Sequence, residues 1–217
     1  ENAPDVVKAH MEAVDFGGAS RLAHLKLAAF LHDIGKFSTW TIEEGTGRHR
    51  FIKHDDAGAK LSVPLLKKMN FSNKQIDYVS SMIRTHIYPS QVMSAPEIND
   101  KIMMRFVRKM EDNSADLILL AQADRLSAQG EAITKEVVEK NINLLNRLLD
   151  FYLNVKDSLE PLPVLLDGND VMKLLNIKPS KQLGEIMNAL HEAQMSGDIT
   201  TKEQAEAFIV NLFNQRT

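Results

Sequence analysis

The chain contains no cysteine, which excludes disulfides and thiolate ligands and confines any metal site to His, Asp and Glu. A cysteine-free chain suits the cytosol, so a cytoplasmic location is expected. No apolar run approaches the roughly 20 residues that a membrane helix needs, and no membrane partner is expected. Aromatic residues are sparse at 6%, with Trp40 the one tryptophan. Excess positive charge is missing too. A net charge of −3 with a pI near 6.2 excludes a surface coated for nucleic acid and leaves RNA contact to a local patch. What is present is ordinary globular composition, 44% hydrophobic and 25% charged over 217 residues, enough for one large or two small domains.

Apolar spacing predicts a mostly helical chain, with helices near 4–14, 20–33, 54–69, 73–87, 98–111, 114–128, 134–157, 169–176, 180–196 and 201–214. Gly35 is expected to stop the second helix, and Pro89, Pro96 and Gly130 to mark breaks. The exception is 38–53, where β-branched and aromatic residues flank Glu44-Gly-Thr-Gly47 and predict a β-hairpin. Trp40 on this hairpin reads first as a packing residue, and secondly as an exposed indole able to stack on a base. Leu159-Glu-Pro-Leu-Pro163 is the expected linker. Beyond it, Pro179 at a helix start, Gly197 after a helix end and a capping box in Thr200–Gln204 predict a small helical domain.

The most informative stretch is Leu31-His-Asp-Ile-Gly-Lys36. Leu22, Leu25, Ala28 and Ala29 set a spacing that continues to His32 and Asp33, so an imidazole and a carboxylate fall on a core-facing stripe. That placement costs several kcal/mol, roughly, unless something pairs with them. The anomaly recurs. His54 heads a side with Ala57, Gly58, Leu61 and Leu65; His86 shares a face with Ile76, Val79 and Ile83; Asp124 shares one with Leu117, Leu120 and Ala121. One such histidine is usually a satisfied core residue. Four helices doing it together point to a shared metal site, and the mixed ligation suits Mn, Fe, Ni, Co or Zn, with Mg also admitted as one or two ions.

In these motifs the chain resembles the HD-domain metal-dependent phosphohydrolases. More narrowly, it resembles the HD and tail region of bacterial tRNA nucleotidyltransferases and poly(A) polymerases. The resemblance is carried by Leu27–Lys36, Arg50–Gly58, Phe71–Lys74, Arg84-Thr-His86 and Leu119–Leu126, and in the tail by Gly168–Leu175, Lys178-Pro179, Leu183-Gly184 and Ala193–Gly197. It implies an all-α HD-domain helical bundle with a small β-hairpin insertion, residues 1–158, followed by a helical, tRNA-binding tail, residues 159–217. There are departures: Phe37 stands where that branch has Pro, and Lys53-His54-Asp55 where it has Gly-His-Glu.

The HD site also normally opens with a histidine on the preceding helix. His24 shares a helix with His32 and cannot face it. For a helical hairpin turning near Gly17, His32 lies fifteen residues past the turn and His10 seven before it. The mismatch of eight residues is roughly 12 Å, too far for a shared ion. The first histidine is therefore expected to precede Glu1, and the chain, which has no initiator Met, reads as a fragment of a longer protein. No Gly-Ser pair followed by spaced carboxylates marks a polymerase head.

The resemblance implies a metal held by His32, Asp33 and Asp124, with Asp33 bridging to a second ion on His54 and His86. Asp33 and Lys36 are the expected catalytic residues, with Lys36 and Arg125 neutralising the substrate phosphate. Arg48, Arg50 and Lys53 are further cations nearby in sequence, while Lys67, Lys68, Arg105, Arg108 and Lys109 read as ordinary exposed faces. Lys178 and Lys181, at a helix N-terminus, are the expected RNA-backbone contacts. The expected partners are tRNA or other RNA and nucleotides. Three functions stay open: phosphoester hydrolysis in the C-terminal part of a nucleotidyltransferase-like protein, a stand-alone HD phosphohydrolase acting on nucleotides or cyclic dinucleotides, and a non-catalytic RNA-binding module with a vestigial metal site.

Overall fold

A computed structural model describes residues 4–128 and 133–215. The chain runs through α1 (Asp5–Glu12), α2 (Arg21–Leu31) and the single turn α3 (Lys36–Thr39) into strands β1 (Trp40–Ile42) and β2 (His49–Phe51). Then follow α4 (His54–Lys68), α5 (Asn73–Thr85), α6 (Tyr88–Met93), α7 (Asp100–Met110), α8 (Ser114–Ser127) and α9 (Lys135–Val155). The chain ends with α10 (Gly168–Leu175), α11 (Lys181–Met195) and α12 (Lys202–Asn214). The expected break at Gly130 lies outside the described residues.

Local chemistry sets the helix starts. Ser20 and Ser180 each accept an amide three residues on, and Ser72 with Gln75, Asp167 with Asp170 and Thr201 with Gln204 close full capping boxes. The hairpin pairs Trp40 with Phe51, Thr41 with Arg50 and Ile42 with His49 in antiparallel register. Two short helices, α3 and α6, fall outside the predicted ones, and α3 takes the first residues of the expected 38–53 hairpin. In α3 the hydroxyls of Ser38 and Thr39 bond back to the Gly35 carbonyl. In α6 Pro89 does not break a helix but sits in its first turn, where a missing N–H costs nothing.

One compact unit comprises the residues through Ala95 together with Asp112–Leu149. At its centre α5 packs against α2, α4 and α8. Its inner face is Ile76, Val79 and Ile83, each under 5% exposed. On α4 the expected apolar side is corrected: Leu61 and Leu65 are exposed, and the buried residues are Gly58, Ala59, Ser62 and Leu66. Fully buried side chains such as Leu66, Ile83, Leu117 and Ile118 each contribute about 1.5–3 kcal/mol.

The second unit comprises Pro96–Glu111 and the residues from Asp150 onward. Leu166, Val171, Ile186, Leu190, Ile199, Ala205 and Ile209 form its core. The grouping differs from a boundary at residue 158, because α7 belongs with the tail. Its basic residues are not a free solvated face: Lys109 pairs with Glu192 at 3.0 Å, Lys101 with Asp198 at 2.5 Å, and Arg108 donates to the Gln194 carbonyl.

Candidate metal centre

The ligand-type residues come from helix ends rather than helix middles. His32 and His86 are the C-caps of α2 and α5, Asp33 follows in the next turn, His54 opens α4, and Asp124 lies in the last turn of α8. The Nε2 of His32 is 3.2 Å from Asp33 Oδ2 and 3.4 Å from Asp124 Oδ1. Asp33 Oδ1 is 3.4 Å from His54 Nε2 and 3.9 Å from His86 Nε2. His32, Asp33 and His86 offer ligand atoms that all lie within 4.8 Å of one another. His54 and Asp124 flank that trio.

The three histidines are oriented alike. Each Nδ1 lies against the carbonyl oxygen three residues earlier, at 2.7 Å for His32 and Ala29, 2.8 Å for His54 and Phe51, and 2.6 Å for His86 and Ile83. Such bonds require the proton on Nδ1, the arrangement that frees Nε2 to ligate a metal. His54 and His86 then face each other Nε2 to Nε2 at 3.1 Å. Two lone pairs at that distance repel unless a proton or a cation lies close to both. Two imidazoles and a carboxylate about one point, with a third imidazole and a second carboxylate beside them, therefore fit a divalent transition metal.

The charges agree. His32 is pushed up to about 10, first by its hydrogen bond to Asp124 and then by Asp33. Burial raises the Asp33 carboxyl, but His32 and Lys36 more than reverse this and hold it well below the carboxylate range. Asp124 is lowered by His32, while burial pushes His86 down and favours its neutral, ligating form. Lys36 Nζ sits 2.6 Å from Asp33 Oδ2 and 5.6 Å from the centre of the Phe51 ring.

Backbone contact brings these ends together. Gly35 has helical dihedrals (φ −71°, ψ −17°), so its role is not a left-handed stop. A Cβ there would lie 2.0 Å from the His54 carbonyl oxygen and 2.5 Å from the Gly58 amide. The turn after α2 thus lies directly on the first turn of α4, placing Asp33 beside His54. Just before His54, Lys53 adopts φ +60°, ψ +30°, a conformation that favours glycine.

Other sequence candidates lie elsewhere. His10 Nε2 contacts Asp116 at 3.2 Å, and Asp116 precedes Asp124 on α8 by eight residues, roughly 12 Å. This is the offset expected from the hairpin. His24 is buried among Phe16, Phe71 and Tyr78. Arg125 makes no hydrogen bond or ion pair among the described residues. Lys178 and Lys181 are exposed in the second unit, Lys181 pairing loosely with Glu185 at 3.8 Å.

Sequence reasoning missed the cluster around Asp116, which is fully buried and bonded by Arg21 and Tyr78. The available signal was spacing: Asp116, Leu120 and Asp124 recur every four residues on one stripe of α8.

No described helix is long and apolar enough to cross a membrane. Comparison with curated proteins finds the CC-adding tRNA nucleotidyltransferase of Thermus thermophilus, 34% identical over 185 residues, covering 85% of this chain and 39% of the relative. It also finds the A-adding tRNA nucleotidyltransferase of Deinococcus radiodurans, 29% identical over 185 residues, covering 85% of this chain and 41% of that relative. The chain spans about two fifths of the length of these relatives. The model of the HD domain matches residues 8–129, the stretch that brings His32, Asp33, His54, His86 and Asp124 together, and the chain belongs to the HD domain family.

Proposed function

We propose that this chain is the HD and tail region of a tRNA nucleotidyltransferase-like protein and that its His/Asp centre hydrolyses phosphoesters, such as 2′,3′-cyclic or terminal phosphates, on RNA or nucleotides. The observation that carries the reading is the 3.1 Å approach of His54 Nε2 to His86 Nε2 beside Asp33. A divalent cation held by His32, Asp33, His54, His86 and Asp124 would supply Lewis acidity toward a phosphoryl oxygen and toward water. Asp33 turns Oδ1 toward His54 and His86 and Oδ2 toward His32 and Lys36, so either oxygen would be available to an ion held there. Lys36, ion-paired at the edge of the centre, is the cation that would meet a substrate phosphate, with Arg125 as the second. In the tail, Lys178 and Lys181 would hold RNA backbone in a cytoplasmic protein. Nucleotidyl transfer is not assigned to these residues.

The test is metal analysis joined to cleavage of bis-p-nitrophenyl phosphate. A bound transition metal and activity lost in Asp33→Ala, with the melting temperature largely kept, is the expected result. Undiminished cleavage by nuclease-free Asp33→Ala protein would mean that the chemistry lies elsewhere.

A further inference from the structure

The hairpin next to the metal centre carries a surface that phosphoester hydrolysis alone does not use. Cross-strand partners point to one face, so Trp40 and Ile42 share a side with Phe51 and His49. Trp40 is 51% and Ile42 54% exposed, with Phe37 at 95% just before them in the chain. The indole N–H is already satisfied, donating to His49 Nδ1 at 2.7 Å, which leaves the ring to act through its face. This surface and the metal centre share Phe51. Its carbonyl accepts from His54 Nδ1, and its ring lies beside Lys36, which holds Asp33. Along the outer edge of β2 runs an open groove of about 380 Å³, lined by His49 and Phe51 from the face of Trp40 and by Arg48 and Arg50 from the opposite face, so a strand lying on Trp40 reaches these cations around that edge. Arg50 is paired with Glu43, whereas Arg48 and Lys53 make no ion pair among the described residues. An exposed aromatic platform beside a cationic groove is the combination by which proteins hold single strands: bases stack while cations follow the backbone.

We infer that the β1–β2 hairpin is the platform for a single-stranded RNA end, with the terminal base stacked on Trp40 and the backbone phosphates on Arg48 and Lys53. An RNA end is favoured over a free nucleotide because the groove is open and runs along the strand rather than enclosing one base. The inference rests on the proposed phosphoester chemistry only for what the strand end reaches; stacking itself is measured without turnover.

Trp40 is the sole tryptophan, so intrinsic fluorescence of the full chain reads this platform alone. The chain is titrated with the tetranucleotide of adenylate, with adenosine 5′-monophosphate and with ribose 5-phosphate. The tetranucleotide quenches saturably, the mononucleotide binds at least about tenfold more weakly, as loss of the backbone contacts requires, and ribose 5-phosphate leaves the emission unchanged. By anisotropy of a labelled tetranucleotide, Trp40→Ala weakens binding by about 5- to 150-fold, the range of base stacking on an aromatic ring, and Trp40→Phe restores most of it. Ile42→Ala, which keeps the fluorophore, shifts the quenching curve to weaker binding. Absent quenching, unchanged affinity of a folded Trp40→Ala protein, or a mononucleotide bound as tightly as the tetranucleotide overturns the inference. Cleavage of bis-p-nitrophenyl phosphate without quenching overturns the platform and spares the hydrolase reading. Quenching without cleavage does the reverse.

Discussion

Arg21 places its Nε 3.0 Å from each carboxylate oxygen of the fully buried Asp116, joining the first turn of α2 to the first turn of α8. Tyr78 of α5 donates to the same carboxylate at 3.0 Å, and His10 of α1 lies 3.2 Å from it. Three of the four helices tied at this cluster, α2, α5 and α8, carry His32, His86 and Asp124 at their other ends. On α5 and α8 the two levels are eight residues apart, roughly 12 Å. A buried ion cluster at one level thus fixes the register of the helices that assemble the candidate metal centre at the next.

Asp116→Ala is expected to destabilise the chain by about 3–5 kcal/mol, because it leaves the Arg21 guanidinium buried without its main partner. Burial raises the Asp116 carboxyl, but His10 and Arg21 more than reverse this and hold it below the usual range. Its stabilisation is therefore complete above the unfolded value of about 4 and is lost as pH falls through the depressed folded value. Denaturant unfolding measures the loss. The isosteric Asp116→Asn variant, lacking this titration, should show a shallower fall in melting temperature between about pH 4 and pH 2 than the unaltered chain.

Gly35→Ala drives a methyl group into backbone atoms of His54 and Gly58. The expected cost is about 1–3 kcal/mol, with His54 displaced from Asp33 and metal affinity lowered by about 10- to 100-fold. Calorimetric titration with Mn²⁺ or Zn²⁺ beside a thermal melt checks both effects. Affinity that survives a clear loss of stability would remove the proposed link between this contact and the centre.

Lys53→Gly should stabilise the chain by about 0.5–1 kcal/mol. A non-glycine residue pays about 1–2 kcal/mol in the left-handed region, and the greater freedom of glycine in the unfolded chain takes part of that back. A lower melting temperature for Lys53→Gly would mean that the lysine side chain contributes a contact worth more than the backbone strain.

Changing Lys178 and Lys181 together to Ala should weaken binding of a tRNA-like ligand and reduce the salt slope by about one to two phosphate contacts, without altering hydrolysis of a small substrate. Binding by this acidic chain is expected in the range of about 10⁻⁴–10⁻⁶ M. An unchanged salt slope in filter binding would remove these two lysines from the RNA contact.

Element type was readable from the sequence because periodicity and capping are local. Ser72 with Gln75 and Thr201 with Gln204 close their boxes within one turn, and the β-branched and aromatic residues around Gly45 and Gly47 form the hairpin they predict. That His32, Asp33, His54, His86 and Asp124 lie near one another was readable as well, since His and Asp at the ends of apolar stripes need polar or charged partners. The incompatibility of His10 with His32 followed from helix rise alone. Tertiary structure decided the rest. Which of Leu61, Leu65 and Leu66 faces inward depends on the neighbour α4 meets, and three- and four-residue spacings around one helix leave that choice open. Gly35 looks in sequence like a helix stop, and only the approach of α4 reveals a backbone contact. Arg21 and Asp116 stand 95 residues apart, and α7 joins the tail across some 40 residues of intervening chain. Contacts at such separations are set by how whole helices pack, a property that no local pattern encodes.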